Sequence, residues 1–364
     1  MKLLFRSVLV LVVLIVLYFT SWPVPIEPRA WEAPNEPELI GQYAVNSLLA
    51  DFKEIDIGGL HGPEAVAANA NGDIYSTTHE GWIIRILKGS EKAERWVDVG
   101  GRPLGVAFDS DQNLWVANAF IGLQKVDIEG KVTVETTMAD SVPILYADDV
   151  VVTPNGKVYF SDASTKYSAG KIGDTLTASL LDIAEHGLHG RIIEYDPAAN
   201  TTRVIMRDLS FANGVTSSET GDFLLIAETG GYRIWKYWLE GDKAGENEVV
   251  IDNLPGFPDN VHRGQNGRYW LGLTSPRSKV FDDLSAKPFM RKVVQRLPAF
   301  LRPGIEPYGH IIAIDSNGKV LVDLQDPKGA YPATTGAWET DDYLYVSSLT
   351  APVLARFEKS LLGF

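Results

Sequence analysis

Six times along this chain a segment of alternating apolar residues runs into a polar turn and returns as a second β-rich segment. The copies read PEAVAANANGDIYSTT from Pro63, PLGVAFDSDQNLWVAN from Pro103 and ADDVVVTPNGKVYFSD from Ala147. They continue with ANGVTSSETGDFLLIAE from Ala212, PDNVHRGQNGRYWLGL from Pro258 and a degenerate TTGAWETDDYLYVSSL from Thr334. Alternation with period two marks half-buried strands, and turns such as Asn71-Gly72, Asn155-Gly156 and Asn266-Gly267 join them as hairpins. A third strand often follows, as in WIIRI at Trp82, GRIIEYD at Gly190 and YRIWKYW at Tyr232. Units of three to four strands recurring about every 40 to 50 residues are the signature of propeller blades. The expected fold is all-β, a six-bladed β-propeller over residues 51–364, with an N-terminal transmembrane helix and helical insertions.

Composition narrows the chemistry. There are no cysteines, which excludes disulfides, thiolate zinc sites and a cysteine nucleophile. A net charge of -14 repels a phosphate backbone and attracts cations, so no nucleic-acid partner is expected. An acidic surface also serves plain solubility, and the overall charge needs no further explanation. No protein partner can be deduced.

Residues 1–26 are expected to form a signal anchor. The stretch LLFRSVLVLVVLIVLYF (residues 3–19) is interrupted only by Arg6 and Ser7. As a helix it spans about 26 Å, slightly less than the bilayer's hydrocarbon core. Lys2 and Arg6 place the N-terminus in the cytoplasm and the bulk of the chain on the far side. A cleaved signal peptide is the competing reading, but Phe19-Thr20-Ser21-Trp22-Pro23 offers no small-x-small cleavage pattern. Pro23, Pro25, Pro28, Pro34 and, just beyond, Pro37 then make the stretch from Trp22 to about Asn35 a stiff, extended spacer, leading into a Pro-rich linker over residues 27–50.

Two gaps between repeats are long. The first holds KIGDTLTASLLDIAEHGLHG after Ser164, a helix-bearing insertion. The second, between Thr274 and Tyr308, holds KPFMRKVVQRLPAFLRP. There Phe289, Val293, Val294, Leu297, Phe300 and Leu301 alternate with Arg291, Lys292, Arg296 and Arg302. This amphipathic basic stretch over 288–302 reads either as a helix packed on the propeller or as a lid or membrane-contacting element.

The first strand of each blade lines a propeller's central channel, so the residues that open those strands meet at one mouth. That position holds Glu64, then Pro103-Leu104, Asp148-Asp149, Asn213, Asp259-Asn260 and Thr335. Asp and Asn before a strand commonly serve as turn residues. Four blades supplying oxygen donors at one register point instead to a cation site. Two like charges 4 Å apart cost on the order of 4 kcal/mol at an effective dielectric of 20, so clustered carboxylates call for protonation or a divalent ion. Oxygen donors without histidine or cysteine specify calcium or magnesium, and a ring that includes carboxamides favours one calcium ion.

These segments resemble the strictosidine synthase-like family, including its adipocyte plasma membrane-associated branch, and through it gluconolactonases, regucalcin and paraoxonases. The likeness is carried by GPEAV at Gly62, RPLGVAF at Arg102, DDVVVTPNGKVYFSDAS at Asp148 and FANGV at Phe211. AETGGYRIWKYWLEG at Ala227, LPGFPDNV at Leu254 and ETDDYLYVSSL at Glu339 add to it, so that it runs from about residue 52 to the end. The resemblance implies calcium ligands at Glu64, Asn213, Asp259 and Asn260. Where the family usually has Asn-Asp, this chain has Asp148-Asp149, which adds a negative charge and puts Asp148 in the ligand set. Residues 102–105 lack the histidine that paraoxonases use as a base. Residues 332–338 lack the glutamate that drives the strictosidine condensation, so that reaction is not expected.

The expected activity is therefore metal-dependent hydrolysis of small esters or lactones, with Asp259 as base by analogy with gluconolactonases and Asp149 as second choice. The alternative is a non-catalytic, membrane-tethered binding propeller whose calcium is structural, because fold alone does not choose between them. No G-x-S-x-G elbow or phosphate-binding glycine loop is present. His61, His262 and His310 lie near proposed ligands or strand openings as candidate proton shuttles, and structural roles are the commoner fate of such residues. His79, His186 and His189 lie outside the motifs. Trp82, Trp115, Tyr146, Trp270 and Trp338 can line an apolar mouth or serve as core.

Overall fold

A computed structural model describes all 364 residues. Six four-stranded antiparallel sheets follow one another along the chain. The first five are each continuous in sequence. Blade one, for example, runs Val66–Ala68, Ile74–Thr77, Trp82–Ile86 and Glu94–Asp98 from channel to rim. The sixth combines Thr334–Glu339, Tyr343–Ser348 and Val353–Glu358 with Lys53–Asp56 from the start of the propeller. That early strand pairs Ile55 with Leu354 and so ties the two ends of the ring together. The six expected blades are present, and the borrowed outer strand is a feature that the repeats did not reveal.

Local chemistry explains the hairpins. Asn266 (φ 54°) and Gly267 (φ 77°) both take the left-handed conformation that a tight two-residue turn requires. The core lies between adjacent sheets rather than at a single centre. Ile83 and Val97 of blade one pack on Val106 and Val116 of blade two, and Trp270 of blade five packs on Leu344 and Val346 of blade six. Trp115 and Trp270 are thus core residues, with 2% and 0% exposure.

Helix α1 (Lys2–Ser21) buries no residue and projects from the propeller. The segment expected as a stiff spacer is extended, as expected, but is laid onto the propeller. Ile26 is completely buried, the Trp31 ring stacks on His186 with centroids 4.0 Å apart, and Leu49 enters the core between blades five and six. Helices α2 (Ala169–Ile172) and α3 (Thr175–Glu185) join the second and third strands of blade three. Helices α4 (Lys279–Asp283) and α5 (Pro288–Gln295) and a 3-10 turn, Ala299–Leu301, make the same connection in blade five. In alternating up-and-down strands, these connections stand at the end of the ring where the innermost strands begin. Asp174 starts α3 by accepting the Thr177 N–H at 2.8 Å, and His186 ends it in the left-handed conformation (φ 54°).

The basic stretch is oriented opposite to ordinary amphipathic packing. Arg291 and Arg296 are buried, whereas Phe289, Met290, Phe300 and Leu301 face outward. Guanidinium groups with carbonyl partners can be buried, and the apolar side is left to find its own cover.

Candidate metal centre

The innermost strands do not pair regularly with their neighbours where the site residues lie. Register slips between Ala147 and Val150, between Ala212 and Val215, and between Pro258 and Val261. Asp148, Asn213 and Asp259 therefore sit on bulges, which release them from the ladder and aim them at the channel mouth. Adjacent inner strands also approach closely. A Cβ on Gly105 would overlap Asp149, and one on Gly214 would overlap the backbone of Asn260 and Val261, so glycine is required at both.

Candidate ligand oxygens of Glu64, Asp148 and Asp259 lie within 4.8 Å of one another, and all three residues are buried. Asp148 receives no hydrogen bond from the protein, while Asp259 accepts from the Thr274 hydroxyl through Oδ2. Three further acceptors in the group have no donor: Glu64 Oε2, Asn213 Oδ1 and Asn260 Oδ1. Burying an acceptor without a partner costs roughly 1–3 kcal/mol, and here several converge. A hard divalent cation held by the carboxylates would supply the partner these oxygens lack, so the residues present fit such an ion.

Electrostatics point the same way. Burial pushes the Glu64 and Asp148 carboxyls well above the usual range, and their mutual repulsion with Asp259 adds to it. Asp259 is raised by burial too, against the pull of its Thr274 and Asn213 partners. Arg102, 1% exposed, lies beside Glu64 and leaves Nε and one terminal nitrogen without acceptors. One fixed positive charge thus offsets one of three carboxylates.

Asn260 donates from Nδ2 to Glu64 Oε1 at 2.9 Å and so orients that carboxylate, while its own Oδ1 is left without a partner. Asp149 is not brought to the site. Its two oxygens accept the Val150 and Val215 N–H groups at 2.8 and 2.9 Å, fastening blade three to blade four. Both oxygens are therefore committed, and Asp149 is dropped as second-choice base. Thr335 also serves closure, donating to the Glu64 carbonyl at 2.6 Å.

Above the cluster lies a cleft of about 740 Å³, the part open to solvent included. Glu64, Asp148, Asn213 and Asp259 form its polar floor, and Leu104, Tyr146, Phe211 and Phe257 its walls. Its roof comes from the insertions, through Leu176, Leu180 and Ile183 of α3, Phe281 of α4 and Ile305. The lining suits a small, largely apolar ligand held over a charged spot. The Tyr146 hydroxyl donates to the Thr175 carbonyl at 3.1 Å, tying wall to roof. Of the five aromatic residues expected at the mouth, Tyr146 alone lines this cleft, and Trp338 lines the opposite end of the channel.

No histidine lines the cleft. His61 is exposed and pairs with Glu80, His310 pairs with Asp323 at 2.9 Å, and His262 faces the far end of the channel with both ring nitrogens unpartnered. His186 stacks on Trp31, and His189 meets Glu185 at 2.7 Å. Sequence reasoning missed Thr274, Arg102 and the α3 roof. Thr274 carries no motif, Arg102 registered only as an absent histidine, and a roof residue is recognisable only once its helix is placed.

A family model described as strictosidine synthase matches residues 148–242, and one described as strictosidine synthase-like, N-terminal, matches residues 41–86. Protein strictosidine synthase-like 7 of Arabidopsis thaliana is 31% identical over 345 residues, covering 92% of this chain and 88% of its own. The adipocyte plasma membrane-associated protein of Salmo salar is 30% identical over 388 residues, covering 98% and 91%. Among solved structures, a gluconolactonase from Xanthomonas campestris superposes with a TM-score of 0.60 at 14% identity, over 91% of this chain and 98% of that one. The calcium-binding protein regucalcin from Agrobacterium tumefaciens gives 0.58 at 15% identity, over 84% and 92%. At such identities these two likenesses speak for the fold, whereas the curated relatives speak for the family. The chain belongs to the strictosidine synthase-like family, as a six-bladed propeller with a buried acidic cluster at one mouth of its channel.

Proposed function

We propose that this protein is a calcium-dependent hydrolase of small esters or lactones, held at a membrane by α1. The observation that carries the reading is the coincidence of a donor-starved oxygen cluster with an open, apolar cleft directly above it. The ligand set is Glu64, Asp148, Asn213, Asp259 and Asn260, the last through the Oδ1 that has no other partner. A bound calcium ion would supply Lewis-acid polarisation of the substrate carbonyl.

The chain's own residues supply the rest. Leu104, Phe211, Phe257 and the α3 roof hold the apolar part of the substrate and exclude bulk water. Asp259 lines the cleft and takes the proton of the attacking water. Thr274 donates to its Oδ2 and fixes its orientation. The names of the structural neighbours, a gluconolactonase and a calcium-binding regucalcin, agree with this chemistry.

Lys2 and Arg6, in the first turns of α1, support an N-terminus in the cytoplasm and a propeller on the periplasmic, lumenal or extracellular side.

Asp259→Asn keeps the volume and one ligand oxygen but removes the base. It is expected to lower kcat on a responsive aryl ester or lactone by 10²-fold or more, within the usual range for a general base. Most of the activity surviving in that variant contradicts the assignment.

A further inference from the structure

Once α1 is in a bilayer, the outward face of α5 and the Ala299–Leu301 turn is brought to the surface of that bilayer. The last turn of α1 is bonded to the end of α5. Arg296 donates from Nε to the Trp22 carbonyl at 2.6 Å and from a terminal nitrogen to the Phe19 carbonyl at 3.0 Å. In return the Tyr18 hydroxyl donates to the Arg296 carbonyl at 2.9 Å. These carbonyls belong to a helix end that would otherwise lack partners. Entry of α1 into hydrocarbon therefore carries this element to within about one helical turn of the interface.

The exposed face suits that position. Phe300 is 85% exposed, Leu301 56%, Phe289 53% and Met290 41%, all within a short stretch of chain. Lys287, Lys292 and Arg302 stand among them in a protein of net charge -14. Apolar side chains rimmed by cations are the pattern of an element lying in the headgroup region of an anionic membrane. The inward commitment of Arg291 has the same effect, since its bonds to the Ala184, Arg29 and Ser285 carbonyls leave the apolar residues outside.

We infer that α5 and the turn after it are a second membrane contact, docking Phe289, Met290, Phe300 and Leu301 into the anionic phospholipid surface that α1 enters. The propeller then rests on the bilayer with its cleft-bearing end, because both insertions and the end of α1 lie there. If the cleft is hydrolytic as proposed above, substrates that partition into lipid reach it from the membrane surface.

The absence of cysteine permits a direct test. Full-length Phe300→Cys, labelled with an environment-sensitive fluorophore, is placed in phosphatidylcholine–phosphatidylserine nanodiscs at one protein per disc. Ile128→Cys serves as reference, being 70% exposed in the turn between the third and fourth strands of blade two, at the opposite end. The expected result is a blue-shifted emission at 300, quenched several-fold more than at 128 by lipids carrying a quencher on the acyl chain. Equal, water-like emission at both sites overturns the inference. So does protection at 300 that arises only with two proteins per disc, which would make the face a contact between copies. The measurement needs no turnover, so its failure leaves the hydrolase reading standing and the failure of that reading leaves docking standing.

Discussion

At the scale of single residues, charge balance is the informative quantity. Glu64, Asp148 and Asp259 bring three carboxylates to one point, Arg102 returns one positive charge, and a divalent ion would complete neutrality. Asp148 supplies the charge that an asparagine, the family's usual residue there, would not. Asp148→Asn should therefore weaken calcium binding by tenfold or more, on the order of 1.4 kcal/mol, as read by calorimetry on the purified protein. An unchanged affinity would place the ion elsewhere. Glu64, Asn213 and Asp259 were legible in the sequence because the repeats put them at one register. Asp149 was misread for a simple reason. Successive strand residues face opposite sides, so Asp148 enters the cleft while Asp149 turns into the wall toward Val215. Which neighbour faces which way depends on a bulge that no residue type announces.

At the scale of elements, the hub of the roof is Glu185, at the end of α3. It accepts from the Lys166 ammonium at 2.7 Å, from the Tyr167 hydroxyl at 2.5 Å and from the Glu27 N–H at 2.6 Å, and meets His189 at 2.7 Å. One carboxylate thus holds α3, the loop before it and the N-terminal strap. Burial works against its ionisation, yet His189, the Glu27 N–H, Lys166 and Tyr167 together hold its pKa down at about 2. A folded value below the unfolded one contributes stability that is present above about pH 4.5 and is lost as the pH falls toward 2. Glu185→Gln should cost roughly 1–3 kcal/mol at neutral pH. The difference in Tm between it and the parent should shrink as the pH is lowered through that window. A gap that stays constant with pH would contradict the role of the charge. The two insertions were legible as helix-bearing gaps between repeats. The orientation of α5 was not, because its arginines find carbonyl partners on residues distant in sequence, Arg29 and Trp22 among them.

At the scale of the whole molecule, the propeller was readable because each blade restates the same hairpin, and the count of copies fixes the count of blades. Ring closure was not, since Lys53–Asp56 is a short strand whose partner lies some three hundred residues later. The strap was mistaken for a spacer because prolines dictate an extended backbone without saying what it lies on. A chain beginning after residue 26 would lose Ile26 from the core, so tests of function belong on the full-length protein in detergent or nanodiscs. The most direct of these is hydrolysis of a panel of aryl esters and γ- and δ-lactones with calcium, after chelation, and after calcium is restored. The account predicts turnover that disappears with chelator and returns with calcium. Calcium that raises the Tm while no member of the panel is hydrolysed would contradict it and leave a binding propeller with a structural ion.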